Sequence, residues 1–384
     1  AWPRSSFGKR MIDCKKFVET LNDKPVAVFG LGLSGLSTIR ALVKAGATVK
    51  AWDDNEVAHE PAKKAGAEIV FLDQKQLKSC ALLVLAPGVP LFYPKPHAVV
   101  GAARALGLEI ICDLEILHRC AHGHKVIGIT GTNGKSTTTA LIGHILQSAG
   151  KSIAMGGNIG EAVLELEMPA KDGFFVLEIS SYQMDLCPTF RPDIAVLLNI
   201  TPDHLDRHGN FKNYVAAKQR IFEGEGLAVI CLDDEPCRKT YEKLLAFEIG
   251  KRRVRPFSFE GAVENGVYVD DGDIFDARED LTEGKTPEKV GSLSGLNTLR
   301  GGHNHQNAAA AFAVCASKNV GMAADEIITH MQTFPGLPHR QFQVRLINGV
   351  AYVNDSKATN AEAASKALAA YKNIYWIAGG RPKG

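Results

Sequence analysis

Six consecutive residues, Gly131-Thr132-Asn133-Gly134-Lys135-Ser136, combine what a nucleoside triphosphate asks of a protein. Gly131 and Gly134 let the main chain approach phosphates with no Cβ in the way. Lys135 brings a mobile positive charge, and the hydroxyl of Ser136 can ligate a phosphate-bound Mg²⁺. ATP or GTP is the implied ligand. A full Walker sequence asks for another glycine at position 129, where this chain has Ile129, so the loop is a shortened variant. The plainer alternative is a Gly-rich turn without a ligand. Such a loop works at a strand-to-helix junction, where free N–H groups and the positive end of the helix dipole favour an anion. Val126-Ile127-Gly128-Ile129 supplies an apolar strand before it, and Thr138, Leu141, Ile142, Ile145 and Leu146 recur at helical spacing after it.

Other polar residues stand at the ends of apolar runs. Phe174-Phe175-Val176-Leu177 stops at Glu178, and the run 194–199 leads into Thr201-Pro202-Asp203-His204. A carboxylate ending a strand is where a nucleotide enzyme holds Mg²⁺, which makes Glu178 the first metal candidate; its alternative is a helix cap ahead of Ser180-Ser181. His204 gains weight only from its place at the end of a neighbouring strand, because isolated histidines are mostly structural. Asn304 and Asn307 fall three apart in the first turn of an alanine-rich helix and can face one ligand, an N-cap Asn with an incidental neighbour being the alternative. Upstream, Val26-Ala27-Val28-Phe29 leads into Gly30-Leu31-Gly32-Leu33-Ser34-Gly35. A helical pattern follows, stopped by Gly46, and a strand over 48–52 ends at Asp53. This is the dinucleotide fingerprint in its expected setting. Alone it points to NAD, with another diphosphate nucleotide or an empty βα turn as alternatives. A strand over 82–85 runs into Ala86-Pro87-Gly88, a turn suited to close approach of a ligand at the same sheet edge.

The frame that must position these residues is a globular α/β chain. With 384 residues and 45% hydrophobic content it has room for two or three domains. Lys plus Arg at 44 against Asp plus Glu at 42 leaves +2, so the overall charge calls for neither nucleic acid nor an anionic membrane. Eight scattered cysteines without a Cys-x-x-Cys pair fit reduced thiols in a cytoplasm. No apolar stretch approaches the roughly 20 residues of a membrane span. The first ten residues lack a signal core, and 1–23 is read as a possible tag or extension with a leading helix. From about 227 to 294 the chain turns polar, with hairpin signals at Glu264-Asn265-Gly266 and Asp271-Gly272-Asp273. A Pro/Gly linker over 334–340 precedes strands around Asn348-Gly349, a short helix from Glu362 and the apolar run 374–378. The stretch 336–384 is shorter than the roughly 100–150 residues of a domain with its own core, and reads as the start of an incomplete one.

In this order, the motifs resemble the Mur ligases of peptidoglycan assembly, and within them the D-glutamate-adding members. The resemblance rests on Gly-Thr-Asn-Gly-Lys-Ser (131–136), Gly-Gly-Asn-Ile-Gly (156–160), Leu-Glu-Ile-Ser-Ser-Tyr-Gln (177–183), Asp-His-Leu-Asp-Arg-His (203–208), His-Asn-x-x-Asn (303–307), Gly-Leu-Pro-His-Arg (336–340) and Asn-Asp-Ser-Lys-Ala-Thr-Asn (354–360). It implies three domains: a Rossmann-like domain over 24–116, a central P-loop ATP-binding α/β domain over 117–335, and an incomplete Rossmann-like domain over 336–384. In such ligases the first domain takes the UDP of a sugar substrate, not NAD. Gly30, Gly32, Ser34, Gly35, Asp53, Gly88, Asn158, Ser180 and Gln183 are the matching positions. The tip Asp53-Asp54-Asn55 lacks the Arg that members can carry there.

The implied reaction is ATP-driven addition of D-glutamate to UDP-N-acetylmuramoyl-L-alanine through an acyl phosphate. By resemblance, Gly131, Thr132, Asn133, Gly134, Lys135, Ser136, Thr137, Asn304, Asn307, His339, Arg340 and Asp355 meet ATP. Two Mg²⁺ sites are implied, drawing on Ser136, Glu178, His204 and a carbamylated Lys218; from sequence alone Lys218 reads as a solvated surface lysine. Lys357, Thr359 and Lys383 match positions on the incoming D-glutamate. A monomer in a bacterial cytoplasm is expected. The alternatives are another Mur or folylpolyglutamate-type ligase, a substrate-binding fragment with little turnover, and an NAD oxidoreductase fused to a phosphate-binding domain.

Overall fold

The computed structural model describes residues 12–277, 287–358 and 361–379. The first sheet is fully parallel: β1 (Val26–Phe29), β2 (Val49–Trp52), β3 (Glu68–Ile69), β4 (Leu82–Leu85) and β5 (Glu109–Ile111), in spatial order β3-β2-β1-β4-β5. The strands nearest the centre read as continuous apolar runs, as strands covered on both faces must. The order reverses at β1, so its carboxyl end opens the crevice where α/β sheets take ligands, and the turn from Gly30 to Gly35 sits there. The helix after it, Leu33–Lys44, buries Ile39 and Leu42 on the sheet and ends just before Gly46, as its spacing predicts.

The second sheet has nine strands: β6 (Lys125–Thr130), β7 (Ile153–Gly157), β8 (Phe174–Glu178), β9 (Ile194–Leu197), β10 (Glu225–Cys231), β11 (Lys251–Ser258), β12 (Val267–Asp270), β13 (Asp273–Asp276) and β14 (Glu288–Ser292). Their order is β14-β13-β12-β11-β10-β9-β6-β8-β7, and only β13 runs against the direction of the others. Alternate residues of the central strands feed two different cores. Phe175, Leu177, Ala195, Leu197, Ala228 and Ile230 join the core that continues into the first domain. Ile127, Ile129, Val176, Val196 and Val229 pack under the helices Lys135–Ser148 and Gly302–Cys315. The second of these helices is buried all round, and its alanines 308–311 and 313 are the reason it fits so close.

Two expectations need correction. The stretch from 227 is no polar excursion: Leu227 to Cys231 forms a buried central strand, too short an apolar run to stand out from its polar surroundings. Glu264-Asn265-Gly266 is not a hairpin, because it leads into β12, which pairs parallel to β11. The carboxylate of Asp233 captures the Ser258 hydroxyl and the Phe259 N–H at the end of β11, turning the chain away before it re-enters the sheet. Of the two signals, Asp271-Gly272 does turn a hairpin, between β12 and β13. Beyond the linker, β15 (Phe342–Ile347) and β16 (Val350–Asn354) pair antiparallel around Asn348-Gly349, and the helix Ala361–Ala369 follows. The run 374–378 forms no paired strand, and Tyr375 and Ile377 are almost fully exposed.

At Gly35 an added Cβ would lie 2.0 Å from the carbonyl oxygen of Gly30, a backbone atom that cannot step aside. Gly35→Ala is therefore expected to destabilise the chain by about 1–3 kcal/mol, read as a lowered urea midpoint with an unchanged slope.

Candidate active site

The phosphate loop leaves β6 and enters the helix Lys135–Ser148 through Gly134, whose φ of +85° suits glycine. A Cβ at Gly134 would stand 2.3 Å from Oδ1 of Asn307, so the loop touches the alanine-rich helix directly. Lys135 Nζ donates to the carbonyls of Gly131 (2.9 Å) and Thr132 (2.8 Å). Thr132 Oγ1 meets the hydroxyl of Tyr214 at 3.0 Å. The buried hydroxyl of Ser136 accepts from Arg340 Nη2 at 2.8 Å, bringing the linker onto the loop. Asn133, Gly134, Thr137, Asn304, Asn307, Arg340, Asp355 and Lys357 line one pocket. Asn304 is not an N-cap, since that place belongs to Gly301; its Nδ2 donates to the Arg300 carbonyl, and its Oδ1 accepts from Asn307 Nδ2. His339 lies beside the pocket, paired with Asn354 Nδ2 at 3.0 Å. Thr359 and Lys383 lie outside the described residues. A larger cavity of about 600 Å³ farther along, lined by Phe259, Tyr268, Arg300 and His305 among others, contains none of the predicted residues.

Glu178 ends β8 and is only 3% exposed. Its Oε1 accepts from Asn158 Nδ2 at 2.9 Å, while its buried Oε2 has no hydrogen-bond partner among the described residues. It caps no helix: Ser180 does so, in a capping box with Gln183, for the helix Ser181–Asp185. Lys218 is not a surface lysine but 2% exposed, because the helix Phe211–Gln219 turns it inward. Its Nζ donates to the Gly131 carbonyl at 2.8 Å and lies 4.7 Å from the centre of the Tyr214 ring. Burial first, and then the charge of Lys135, push its proton affinity well below that of an ordinary lysine. Burial lowers Lys135 too, with Glu178 opposing. His204 sits in the left-handed region (φ +53°), half exposed, its ring 5.1 Å from that of Tyr182. Burial favours its neutral form, Asp203 opposes, and Lys135 and Lys218 add to the lowering. Among the described residues, no three His, Cys, Asp or Glu side chains group as a metal site.

On the first sheet, Asp53 braces the glycine turn: its Oδ2 accepts the Leu31 N–H at 2.6 Å and its Oδ1 the Asn55 N–H at 2.8 Å. Gly30, Gly32, Ser34 and Gly35 make that turn and the start of its helix. The Gly88 carbonyl accepts from Arg207 Nη1 at 2.7 Å, tying the first domain to the loop that carries His204.

Sequence reasoning passed over several residues here: Asn199, Gln306, Tyr214, Arg207 and the group Ser181, His208 and Asp185. Ser181 Oγ lies 2.9 Å from His208 Nε2, and His208 Nδ1 faces Asp185 at 3.6 Å. With Nδ1 carrying the hydrogen toward the carboxylate, Nε2 accepts from the serine. The arrangement is buried and links the strand end bearing Glu178 to the helix after His204. Its sequence signal was the spacing of His204 and His208, one helical turn apart.

The description "Mur ligase MurD-like, N-terminal domain" matches residues 24–112, and "Mur ligase middle domain" matches 129–315. The chain is 48% identical over 368 residues to the UDP-N-acetylmuramoylalanine–D-glutamate ligase of Chelativorans sp., covering 95% of this chain and 77% of the relative. It is 47% identical over 372 residues to the enzyme of that name from Agrobacterium fabrum, with the same coverage. Among solved structures, the UDP-N-acetylmuramate:L-alanyl-γ-D-glutamyl-meso-diaminopimelate ligase from Neisseria meningitides superposes with a TM-score of 0.53 at 22% identity, covering 82% of this chain and 99% of that one. UDP-N-acetylmuramate-alanine ligase from Thermotoga maritima gives 0.53 at 18%, covering 90% and 77%. These two likenesses speak to the fold.

Burial first, aided by Lys218, His204 and Arg207, pushes His208 down to about 4; Asp206 opposes. An unfolded histidine titrates near 6.5, so between these values the unfolded chain binds more protons and stability falls as pH drops. Asp185, raised by burial to about 6, acts in the opposite sense, because its folded form holds a proton longer. The contribution of His208 is therefore read as a difference. The stability gap between wild type and His208→Gln is expected to shift against wild type by up to about 3 kcal/mol from pH 7 to 4. Parallel urea titrations across that range would show no change in the gap if His208 were not the source.

Proposed function

The chain belongs to the Mur ligase family, and from that premise we propose that it joins D-glutamate to UDP-N-acetylmuramoyl-L-alanine at the expense of ATP. The observation that carries the reading is one pocket shared by the phosphate loop, Asn304, Asn307, Arg340, Asp355 and Lys357, with the side chains of Lys135 and Lys218 meeting on the Gly131 carbonyl behind it. The alanyl carboxylate of the sugar substrate attacks the γ-phosphorus of ATP, forming an acyl phosphate as the bond to ADP breaks. The amine of D-glutamate then adds to the acyl carbon, loses a proton, and phosphate departs.

A carboxylate attacking a polyanion is opposed by charge, so cations must surround the transferring group. Lys135 exchanges its contacts with the loop carbonyls for phosphate oxygens, and Arg340 adds a second cation from the linker. Asn304 and Asn307 hold the adenosine end, with His339 and Asp355 meeting the nucleotide from the far side. Magnesium, when bound, would neutralise charge on the phosphates, held by Ser136, Glu178, His204 and Lys218 across two sites. The partnerless Oε2 of Glu178 and the neutral imidazole of His204 suit such an ion. Lys218 joins as a carbamate: burial favours its neutral amine, the form that adds to CO₂ and sheds a proton, which would turn a repelling cation into a carboxylate-like ligand.

UDP lies along Gly30, Gly32, Ser34, Gly35 and Asp53, with Gly88, Asn158, Ser180 and Gln183 toward the sugar, and NAD has no part. Lys357, with Thr359 and Lys383, receives D-glutamate, its two carboxylates suiting basic groups. Boundaries at 24–116, 117–335 and 336–384 separate the three functions. No helix among the described residues is long and apolar enough to cross a membrane, and we place the enzyme in the cytoplasm as a monomer.

The test is phosphate release by the full-length protein with ATP and the UDP-sugar. D-glutamate is expected to support it and L-glutamate not, and Lys135→Ala is expected to remove it. The UDP-sugar at 100 times its Kd is expected to stabilise the fold by about 2.7 kcal/mol while NAD leaves the melting temperature unchanged. A melting shift with NAD and none with the UDP-sugar would reverse the reading.

A further inference from the structure

We propose that Asn199 and Gln306 are positioning residues that hold the phosphate loop in register with the adenosine end of the nucleotide pocket; the inference rests on the ATP reading above. Asn199 follows β9, is 5% exposed, and brackets Asn133 at the tip of the loop from both sides. Its Oδ1 accepts the Asn133 N–H at 2.8 Å, and its Nδ2 donates to the Asn133 carbonyl at 3.1 Å. The same Nδ2 donates to Oε1 of Gln306 at 2.8 Å. Gln306, also 5% exposed, lies on the helix Gly302–Cys315 between Asn304 and Asn307, and its Nε2 donates to Asp233 Oδ2 at 3.2 Å and to Cys231 Sγ at 3.1 Å. Asp233 in turn holds the turn after β11. A chain of hydrogen bonds thus runs from the phosphate loop, through the end of β9, to the helix that carries Asn304 and Asn307 and on to the next strand.

Only an amide serves at 199, since one end must accept and the other must donate twice. A carboxylate would set acceptor against acceptor at both the Asn133 carbonyl and Gln306 Oε1. Gln306 likewise needs its acceptor toward Asn199 and its donor toward Asp233.

The two residues therefore act on different parts of the ligand, and calorimetric titration of ATP and of inorganic tripolyphosphate separates them. Gln306→Leu is expected to weaken ATP roughly tenfold while tripolyphosphate, which meets the loop alone, stays within about twofold of wild type. Asn199→Asp is expected to weaken both ligands by roughly tenfold or more. Gln306→Glu keeps the volume and should regain ATP affinity as pH falls and its carboxyl takes a proton, a recovery that plain loss of packing would not give. Unchanged affinity for the UDP-sugar establishes that each variant is folded. ATP binding by Gln306→Leu equal to wild type, or an equal loss of tripolyphosphate, overturns the inference alone. A wild-type chain without affinity for ATP overturns the functional reading and this one with it.

Discussion

Two lysine side chains, the part-buried Lys135 and the fully buried Lys218, meet on one carbonyl oxygen, that of Gly131, at 2.9 and 2.8 Å. Neither charge is comfortable there. Burial penalises both ammonium groups, the two like charges oppose each other, and of the carboxylates that favour them, Asp203 and Glu178, the latter has one oxygen committed to Asn158. The loop is thus poised for a polyanion or for chemistry that removes a charge from Lys218. The geometry around it, from the inward-turned helix Phe211–Gln219 to the linker arginine on Ser136, serves to maintain this cramped arrangement.

That arrangement depends on the sheet beneath it. Adjacent residues of β6, β8, β9 and β10 point into different cores, so the strands are fixed from both faces, and Glu178, His204 and the phosphate loop emerge at the same carboxyl edge. Polar side chains at that edge then tie one strand end to the next: Asn199 to the loop, Asp233 to the end of β11, Ser181 to His208. The contact between Arg207 and the Gly88 carbonyl extends the same frame to the first domain.

Much of this was legible in the order of residues. Local signals with their own physics, such as Val26–Phe29 before a glycine turn or Asn348-Gly349 between two alternating runs, were read with nearly the right bounds because the information lies within a few residues. The buried strand Glu225–Cys231 and the parallel entry of β12 were not, because their neighbours in the sheet come from distant parts of the chain.

By itself the sequence determined the chemistry available: a phosphate loop, a strand-end carboxylate, two asparagines one turn into a helix, and a family resemblance that gave each a role. It could not determine where Lys218 points. A lysine at the end of a polar helix reads as solvated, and only the packing of that helix against the loop, with its own Tyr214 beside the lysine, buries the amine and lowers its proton affinity. Hydrogen-bond partners were equally beyond reach, since Asn199, Gln306 and Asp233 lie on three separate segments and acquire their complementary donors and acceptors only when the strands and helix close around the loop.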